Sequence, residues 1–108
     1  MLPRQYRFHL RSQRGFFEES AQVQTRAIRW FVEKIQSGDS QGAIVVPKTT
    51  ATFATRRNAI KRRLHEALLP FLKNQKGVHV VGIVKKNGGN SPFDFYEDIK
   101  QLDHSLHS

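Results

Sequence analysis

The chain has 108 residues, enough for one domain with a single modest core. Its 18 lysines and arginines against 9 aspartates and glutamates give a net charge of +9, which is typical of proteins that bind nucleic acid or an anionic membrane. No apolar run approaches the roughly 20 residues that span a bilayer, and residues 1–7 lack the apolar core of a signal peptide, so we expect no membrane attachment. The absence of cysteine excludes disulfides, thiolate metal sites and a cysteine nucleophile, and it fits a cytoplasmic location.

The N-terminal third is predicted to contain an extended segment, a short helix and a strand. In residues 1–10 apolar side chains alternate with polar ones, as in an extended segment that packs one face. A short helix is predicted over residues 12–20, with Ser12 as its N-cap. Over residues 23–35 the period becomes two, which predicts a strand. Its core face would hold Ile28, Trp30 and Val32, and its opposite face Arg29 and Phe31.

The remaining strands and the last helix follow from turns and apolar runs. Residues 36–42 predict a polar turn, so residues 42–47 should pair antiparallel with the preceding strand. Residues 43–46 are apolar on both faces, which is typical of a buried central strand. Residues 78–84 predict another strand of this kind, and residues 91–106 predict a final helix whose apolar face packs on the sheet.

These elements together predict an α+β sandwich with the order α-β-β-β-α-β-α. The chain should form a single domain over residues 1–108. Its two ends, residues 1–9 and 103–108, are expected to be flexible.

The most distinctive segment, residues 52–71, predicts an amphipathic helix with a basic polar face. Thr50 or Thr52 is expected to cap it, and Pro70 to end or kink it near Leu69. At 3.6 residues per turn its side chains separate into two stripes. The apolar stripe holds Phe53, Ile60, Leu64, Ala67 and Phe71, and the polar stripe holds Asn58, Lys61, Arg62 and His65, flanked by Arg56, Arg57 and Arg63.

The charge of this helix indicates a polyanionic partner. Glu66 is its single acid, whereas a solvated helix ordinarily alternates the two signs. Clustered like charge destabilises a helix, and a polyanion would relieve the repulsion. The alternative is a solvated basic face without a partner.

The segment RNAIKRRLHEA at residues 57–67 resembles the signature helix of the bacterial ribonuclease P protein subunit, whose usual pattern is R-N-R-x-K-R-x-x-R-E. This chain has Ala59 in place of the second arginine and His65 in place of the last one. The segment GAIVVPK at residues 42–48 resembles the strand and lysine that lead into that helix, and Thr-Phe-Ala at residues 52–54 stands where Gly-Asn-Ala is common. The positions that match in identity and spacing are Arg57, Asn58, Lys61, Arg62 and Glu66.

The resemblance, which covers roughly residues 10–106, implies a fold and a function. The fold would be one shared with a ribosomal protein domain, with a left-handed β-α-β crossover. The function would be to assist a catalytic RNA that removes the 5′ leader of precursor tRNA, with Mg²⁺ bound by the RNA subunit and none by the protein. The residues that would bind the RNA subunit are Lys48, Arg56, Arg57, Asn58, Lys61, Arg62 and His65.

A second site is predicted where aromatic rings lie beside a cation, because stacked bases and a passing phosphate backbone suit single-stranded RNA. In the family that the chain resembles, the first helix and the sheet form a cleft for the leader. Phe16 matches one cleft aromatic, and Ser20 stands where another aromatic is usual. Simple core packing is the alternative for Phe16 and Phe31. The residues assigned to leader binding are Phe16, Phe17, Arg29 and Phe31.

No protein active site is evident in the sequence. The five histidines are scattered, no carboxylate pair converges, and neither a phosphate-binding glycine loop nor a serine nucleophile motif is present. The HSLH segment at residues 104–107 could chelate a metal weakly, although a frayed polar tail explains it better. Two other functions remain open: a ribosomal or chaperone-like RNA-binding module, and a nuclease that works through a lone histidine.

Overall fold

The structure, a computed structural model, describes residues 2–9, 15–85 and 95–106. A 3₁₀ turn at Arg4–Tyr6 is followed by the regular elements in the order α-β-β-β-α-β-α, which confirms the predicted α+β class. The elements are α1 (Phe16–Glu19), β1 (Ala21–Gln24), β2 (Ile28–Asp39), β3 (Gln41–Val45), α2 (Ala54–Asn74), β4 (Lys76–Val84) and α3 (Phe95–Leu106).

The four strands form one sheet in the order β1-β2-β4-β3. β2 pairs antiparallel with both β1 and β4, whereas β3 runs parallel to β4. The prediction that residues 42–47 pair antiparallel with the preceding strand is therefore wrong. The single strand predicted over residues 23–35 is also wrong, because it is a hairpin of β1 and β2. Ser40 alone separates β2 from β3, so the predicted turn over residues 36–42 is mostly strand.

The central strand is β4, not β3. Residues 43–46 are apolar on both faces, but β3 lies at the edge of the sheet, so the prediction of a central strand there is wrong. The N-terminal segment covers this edge: Arg7 forms a parallel bridge with Gly42, and the Phe8 N–H donates to the Gly42 carbonyl at 3.0 Å. A covered edge strand can be apolar on both faces without exposing its backbone to pairing with other chains.

The main core lies between the sheet and the helix pair α2 and α3. The core face of β2 is as predicted, with Ile28 and Trp30 fully buried. Gly42 lets α2 approach β3, because a Cβ there would lie 2.9 Å from Cδ2 of Leu68. The buried residues of α2 are Ile60, Leu64, Ala67, Leu68, Phe71 and Leu72.

Both predicted ends of α2 differ from the observed ones. Phe53 is the N-cap residue and has an extended backbone, and it makes no side-chain cap bond. The Thr50 hydroxyl instead donates to the Val84 carbonyl at 2.9 Å, which ties the preceding turn to β4. Pro70 lies inside the helix, which continues to Asn74. Burial of Phe71 and Leu72, at about 1.5–3 kcal/mol each, offsets the roughly 3 kcal/mol that proline costs in a helix interior.

The hairpin between β1 and β2 is fixed to α3 by a buried carboxylate. Asp98 is 2% exposed and accepts a hydrogen bond from the Ala27 N–H at 3.0 Å. Within the hairpin, the Trp30 indole N–H donates to the Thr25 hydroxyl at 3.1 Å. The indole ring lies over Gly82, where a Cβ would approach it to 2.7 Å. These contacts fix the β1–β2 turn against the last helix.

The two ends of the described chain are packed. Leu2 and Phe8 are buried at 2% and 6% exposure, and α3 extends to Leu106. The short helix predicted over residues 12–20 is observed as α1, the single turn Phe16–Glu19 after Gly15. The earlier part of that prediction, with its Ser12 cap, and the start of the helix predicted over residues 91–106 lie outside the described residues.

Candidate RNA interface

The polar stripe of α2 forms a continuous basic groove. Asn58 and Arg62 are exposed, and Lys61 and His65 are half-buried, since they lie nearer the sheet. The four side chains line a groove of about 290 Å³. Their spacing of three and four residues puts them on one helix face, beside the buried stripe that includes Leu64. The structure therefore brings together four of the side chains predicted for the RNA-subunit site.

A second groove, of about 240 Å³, shares Lys61 and His65 with the first and extends to the N-terminal segment. Lys61 and His65 line it together with Arg7 and His9, and apolar residues that include Leu2 and Ile44 complete the lining. The sequence analysis did not identify Arg7 and His9 as site residues. The bridge from Arg7 to Gly42 places this segment beside α2, and no periodicity within the segment indicates that contact.

The three other residues assigned to the RNA-subunit site surround the start of α2. Lys48 and Arg56 are exposed. Arg57 is half-buried, and its Nη1 donates to the carbonyl of Ala51 at 3.0 Å and to that of Thr52 at 2.6 Å. Arg57 therefore anchors the turn before the helix as well as adding charge.

Four phenylalanines form a row across the opposite face of the sheet. Their ring centroids are 4.9 Å apart for Phe8 and Phe16, 5.6 Å for Phe16 and Phe17, and 4.8 Å for Phe17 and Phe31. Phe17 is 43% exposed and meets Phe31 edge to face. We call this row, with Arg29 beside it, the aromatic face. Its accessible ring is that of Phe17, with Phe31 half-buried behind it.

The four residues assigned to leader binding do not all reach the surface. Phe16 is 3% exposed and packs with Phe8 and Val81 in a small core cluster, which agrees with the alternative prediction of simple core packing. Arg29 is exposed, and by strand alternation its side chain shares the sheet face of Phe31. Phe17 and Phe31 are in ring contact, and Phe16 supports Phe17. Ser20, in the position where an aromatic is usual, is half-buried.

His79 is a further polar residue on the aromatic face. Its ring centroid is 4.8 Å from that of Phe8, and it lies opposite Glu33 in the β2–β4 ladder. The Nδ1 atom is buried without a hydrogen-bond partner among the described residues. Sequence alternation placed His79 on a strand but could not show which face of the sheet it joins.

Two histidines have pKa values below the ordinary value of 6.5. Burial lowers the pKa of His65, and the charges of Lys61 and Arg7 lower it further. Burial also lowers the pKa of His79, against an opposing effect of Glu33. Both imidazoles are therefore neutral in the free protein at pH 7, so His65 adds a hydrogen-bonding group to the groove rather than a charge.

These shifts predict that acid destabilises the free protein. Below about pH 6.5 the unfolded chain binds protons at both histidines while the folded chain does not, so stability falls as pH drops from 6.5 toward the lower folded pKa values. Above pH 6.5 both states are neutral and the two histidines contribute no pH dependence. We expect the melting temperature to fall between pH 7.5 and 5.5, and to fall less in His65→Gln and His79→Gln. The exposed His104→Gln is the control, and an equal decrease in all variants would contradict the prediction.

No helix within residues 2–9, 15–85 and 95–106 is long and apolar enough to cross a bilayer. No cluster of three or more histidine, aspartate or glutamate side chains in the same ranges could hold a metal ion.

Comparisons with known proteins agree with this arrangement. The family model Ribonuclease P matches residues 2–106, although no curated protein sequence matches significantly. The RNase P protein from Thermotoga maritima is 28% identical, with a TM-score of 0.75 over 93% of this chain and 94% of that one. The same protein in complex with 1-(4-fluorophenyl)-2-thiourea is 27% identical, with a TM-score of 0.74 over 93% and 96%. The Staphylococcus aureus RNase P protein shares the fold at 17% identity, with a TM-score of 0.73 over 94% and 93%. Because the family model covers nearly the whole chain, this protein belongs to the ribonuclease P protein family and is a subunit of that ribonucleoprotein endoribonuclease.

Proposed function

We propose that this subunit binds the catalytic RNA through the basic face of α2 and the 5′ leader of precursor tRNA through the aromatic face. The observation that carries the proposal is the placement of two different RNA-suited surfaces on opposite sides of one sheet. One is a basic groove and the other a row of rings with a cation. A protein with both surfaces can hold two RNA segments at once.

The basic groove suits the backbone of a folded RNA. Lysine and arginine neutralise phosphates and release counterions, which makes binding strong and salt-dependent. Lys61 and Arg62 project from a helix whose apolar stripe is buried in the core, so the backbone that carries them is in place before binding. The second groove extends the positive surface over Arg7.

The aromatic face suits unpaired nucleotides. An exposed ring offers a stacking surface to any base, and an adjacent cation attracts the backbone. Phe17 presents such a ring, and its position is supported by ring contacts with Phe16 and Phe31. A leader without fixed structure would bind there irrespective of its sequence.

We place the hydrolysis in the RNA subunit and assign no acid, base or nucleophile to this chain. Mg²⁺ bound by the RNA would supply the metal chemistry of the reaction. The protein would contribute substrate positioning and charge neutralisation, so it should lower the Mg²⁺ concentration that the RNA needs.

Reconstitution tests the proposal. The protein is combined with an in vitro transcribed RNA subunit of bacterial ribonuclease P, and precursor tRNA cleavage is measured at low Mg²⁺. We expect cleavage by the complex and none by the protein alone. Binding of both RNAs without stimulated cleavage would support a general RNA-binding module. Cleavage by RNA-free protein that one histidine substitution abolishes would support a protein nuclease.

The leader assignment predicts a selective defect in Phe17→Ala. Loss of one stacked base should weaken holoenzyme binding of leader-bearing precursor tRNA by about 1–3 kcal/mol. Leaderless tRNA and the RNA subunit alone should bind as before, because Phe17 lies on the opposite side of the sheet from α2. Phe31→Ala should behave similarly if it remains folded, and Phe17→Tyr should retain affinity. Equal weakening of leader-bearing and leaderless tRNA would overturn the assignment.

A further inference from the structure

Phe53 is the most exposed large apolar side chain in the described part of the chain. It is 74% exposed, against 61% for Tyr96 and 43% for Phe17. The sequence analysis placed it on the buried stripe of α2, which is wrong. The helix begins at Ala54 and Phe53 has an extended backbone, so helical periodicity does not apply to its side chain.

The backbone that carries Phe53 is held in place. The Arg57 guanidinium binds the carbonyls of Ala51 and Thr52, and the Arg57 N–H donates to the Phe53 carbonyl at 3.1 Å. The Thr50 hydroxyl ties the preceding turn to β4, and Ala51 is 4% exposed. The exposed ring therefore projects from an anchored turn, and little backbone order remains to be gained when a partner binds.

The surroundings of Phe53 are basic. Lys48 precedes it, and Arg56 and Arg57 follow it by three and four residues. The chain has no acidic residue between Asp39 and Glu66. A protein partner that buries an isolated ring would need a wider apolar surface around it, and the neighbouring positions here are threonines, alanines and cations. An aromatic ring among cations instead matches an unpaired nucleotide, whose base stacks and whose phosphate is neutralised.

We propose that Phe53 stacks on an unpaired base of the ribonuclease P RNA subunit at the point where α2 begins. The inference rests on the proposed function. The catalytic RNA is the favoured source of the base because Phe53 directly precedes the helix that carries the basic groove, whereas the aromatic face lies across the sheet. The contact would add a stacking interaction to a surface that otherwise binds phosphates.

The test measures the affinity of full-length variants for the in vitro transcribed RNA subunit over a range of salt concentrations. Phe53→Ala should weaken binding by about 5- to 150-fold at every salt concentration, which is the range expected for one base stack. The dependence of log K on log salt should keep its slope, because no counterion-releasing charge is removed. Phe53→Trp should restore affinity, whereas Phe53→Leu should not. Tyr96→Ala is the matched control, since it removes another exposed ring, next to the acidic Glu97, and should leave affinity unchanged.

The outcomes separate this inference from the proposed function. If the wild-type protein does not bind the RNA subunit, the proposed function fails and the stacking contact with it. If the wild type binds and Phe53→Ala binds equally well, stacking alone is overturned. Full affinity in Phe53→Leu would also overturn it, because an aliphatic side chain cannot stack on a base. Weaker binding of Phe53→Ala with a reduced salt slope would indicate a disturbed basic face instead of a lost stack, and would likewise overturn it.

Discussion

Replacing Leu64 with alanine should lower the free energy of unfolding by about 2–5 kcal/mol. Leu64 is fully buried in the middle of α2 and belongs to the main core between helix and sheet. The substitution removes apolar contacts and leaves a cavity, because a helix that continues on both sides cannot collapse into the space. Urea unfolding of the free protein gives the value, with an unchanged slope indicating that only stability has changed.

Arg63→Ala is the matched control for this measurement. Arg63 is the adjacent residue on the same helix and is exposed, so its replacement should change stability by no more than about 0.5 kcal/mol. At a temperature where Leu64→Ala is fully folded, the Leu64→Ala protein should bind the RNA subunit as the wild type does. A loss of less than about 1 kcal/mol in Leu64→Ala would contradict the placement of this stripe in the core.

The fold class followed from the sequence because each element carries its own local pattern. The alternation through Ile28, Trp30 and Val32 gave a strand with the correct core face, and the helical spacing of Ile60 and Leu64 gave the buried side of α2. Strand pairing carries no such local signal. β3 is apolar on both faces because α2 covers one side and Phe8 the other, a pattern that a central strand would share.

The limits of α2 could not be predicted because they depend on distant contacts. The Thr50 hydroxyl binds Val84, 34 residues away, and is therefore not available as a cap. Pro70 fails to end the helix because the sheet and α3 bury the residues after it. Local residue preferences predicted a threonine cap at the start of α2 and an end near Pro70. Contacts with distant residues determined the observed limits instead.

The candidate site was predictable to the extent that it lies on one helix. Spacing alone brought Asn58, Lys61 and His65 to one groove. The addition of Arg7 depended on an edge contact between residues 35 positions apart, and the burial of Phe16 depended on Phe8 reaching the same sheet face. The charge pattern of α2 was therefore enough to predict the basic groove, whereas its extension to Arg7 depends on the tertiary fold.

Replacing Lys61 and Arg62 together with alanine should weaken binding to the RNA subunit by about 10- to 100-fold at 0.1 M salt, without loss of stability. Each phosphate contact adds nearly one unit to the slope of log K against log salt. At 0.1 M salt one contact therefore raises the binding constant by somewhat less than tenfold, and two contacts raise it by about 10- to 100-fold. Both side chains line the basic groove and neither belongs to the hydrophobic core, so the packing of the core is unaffected. The dependence of log K on log salt should become shallower by about one to two units.

The control must separate loss of these contacts from loss of net charge. The double variant Lys73→Ala with Lys100→Ala also removes two positive charges, but from exposed positions away from the groove. Lys73 is 12 residues farther along α2 than Lys61, or about 18 Å at 1.5 Å per residue. Lys100 lies on α3, beside the C-terminal half of α2. Long-range attraction falls equally in both double variants, so only the groove variant should lose direct phosphate contacts. Equal affinities and equal salt slopes in the two double variants would show that the RNA subunit does not bind this face of α2.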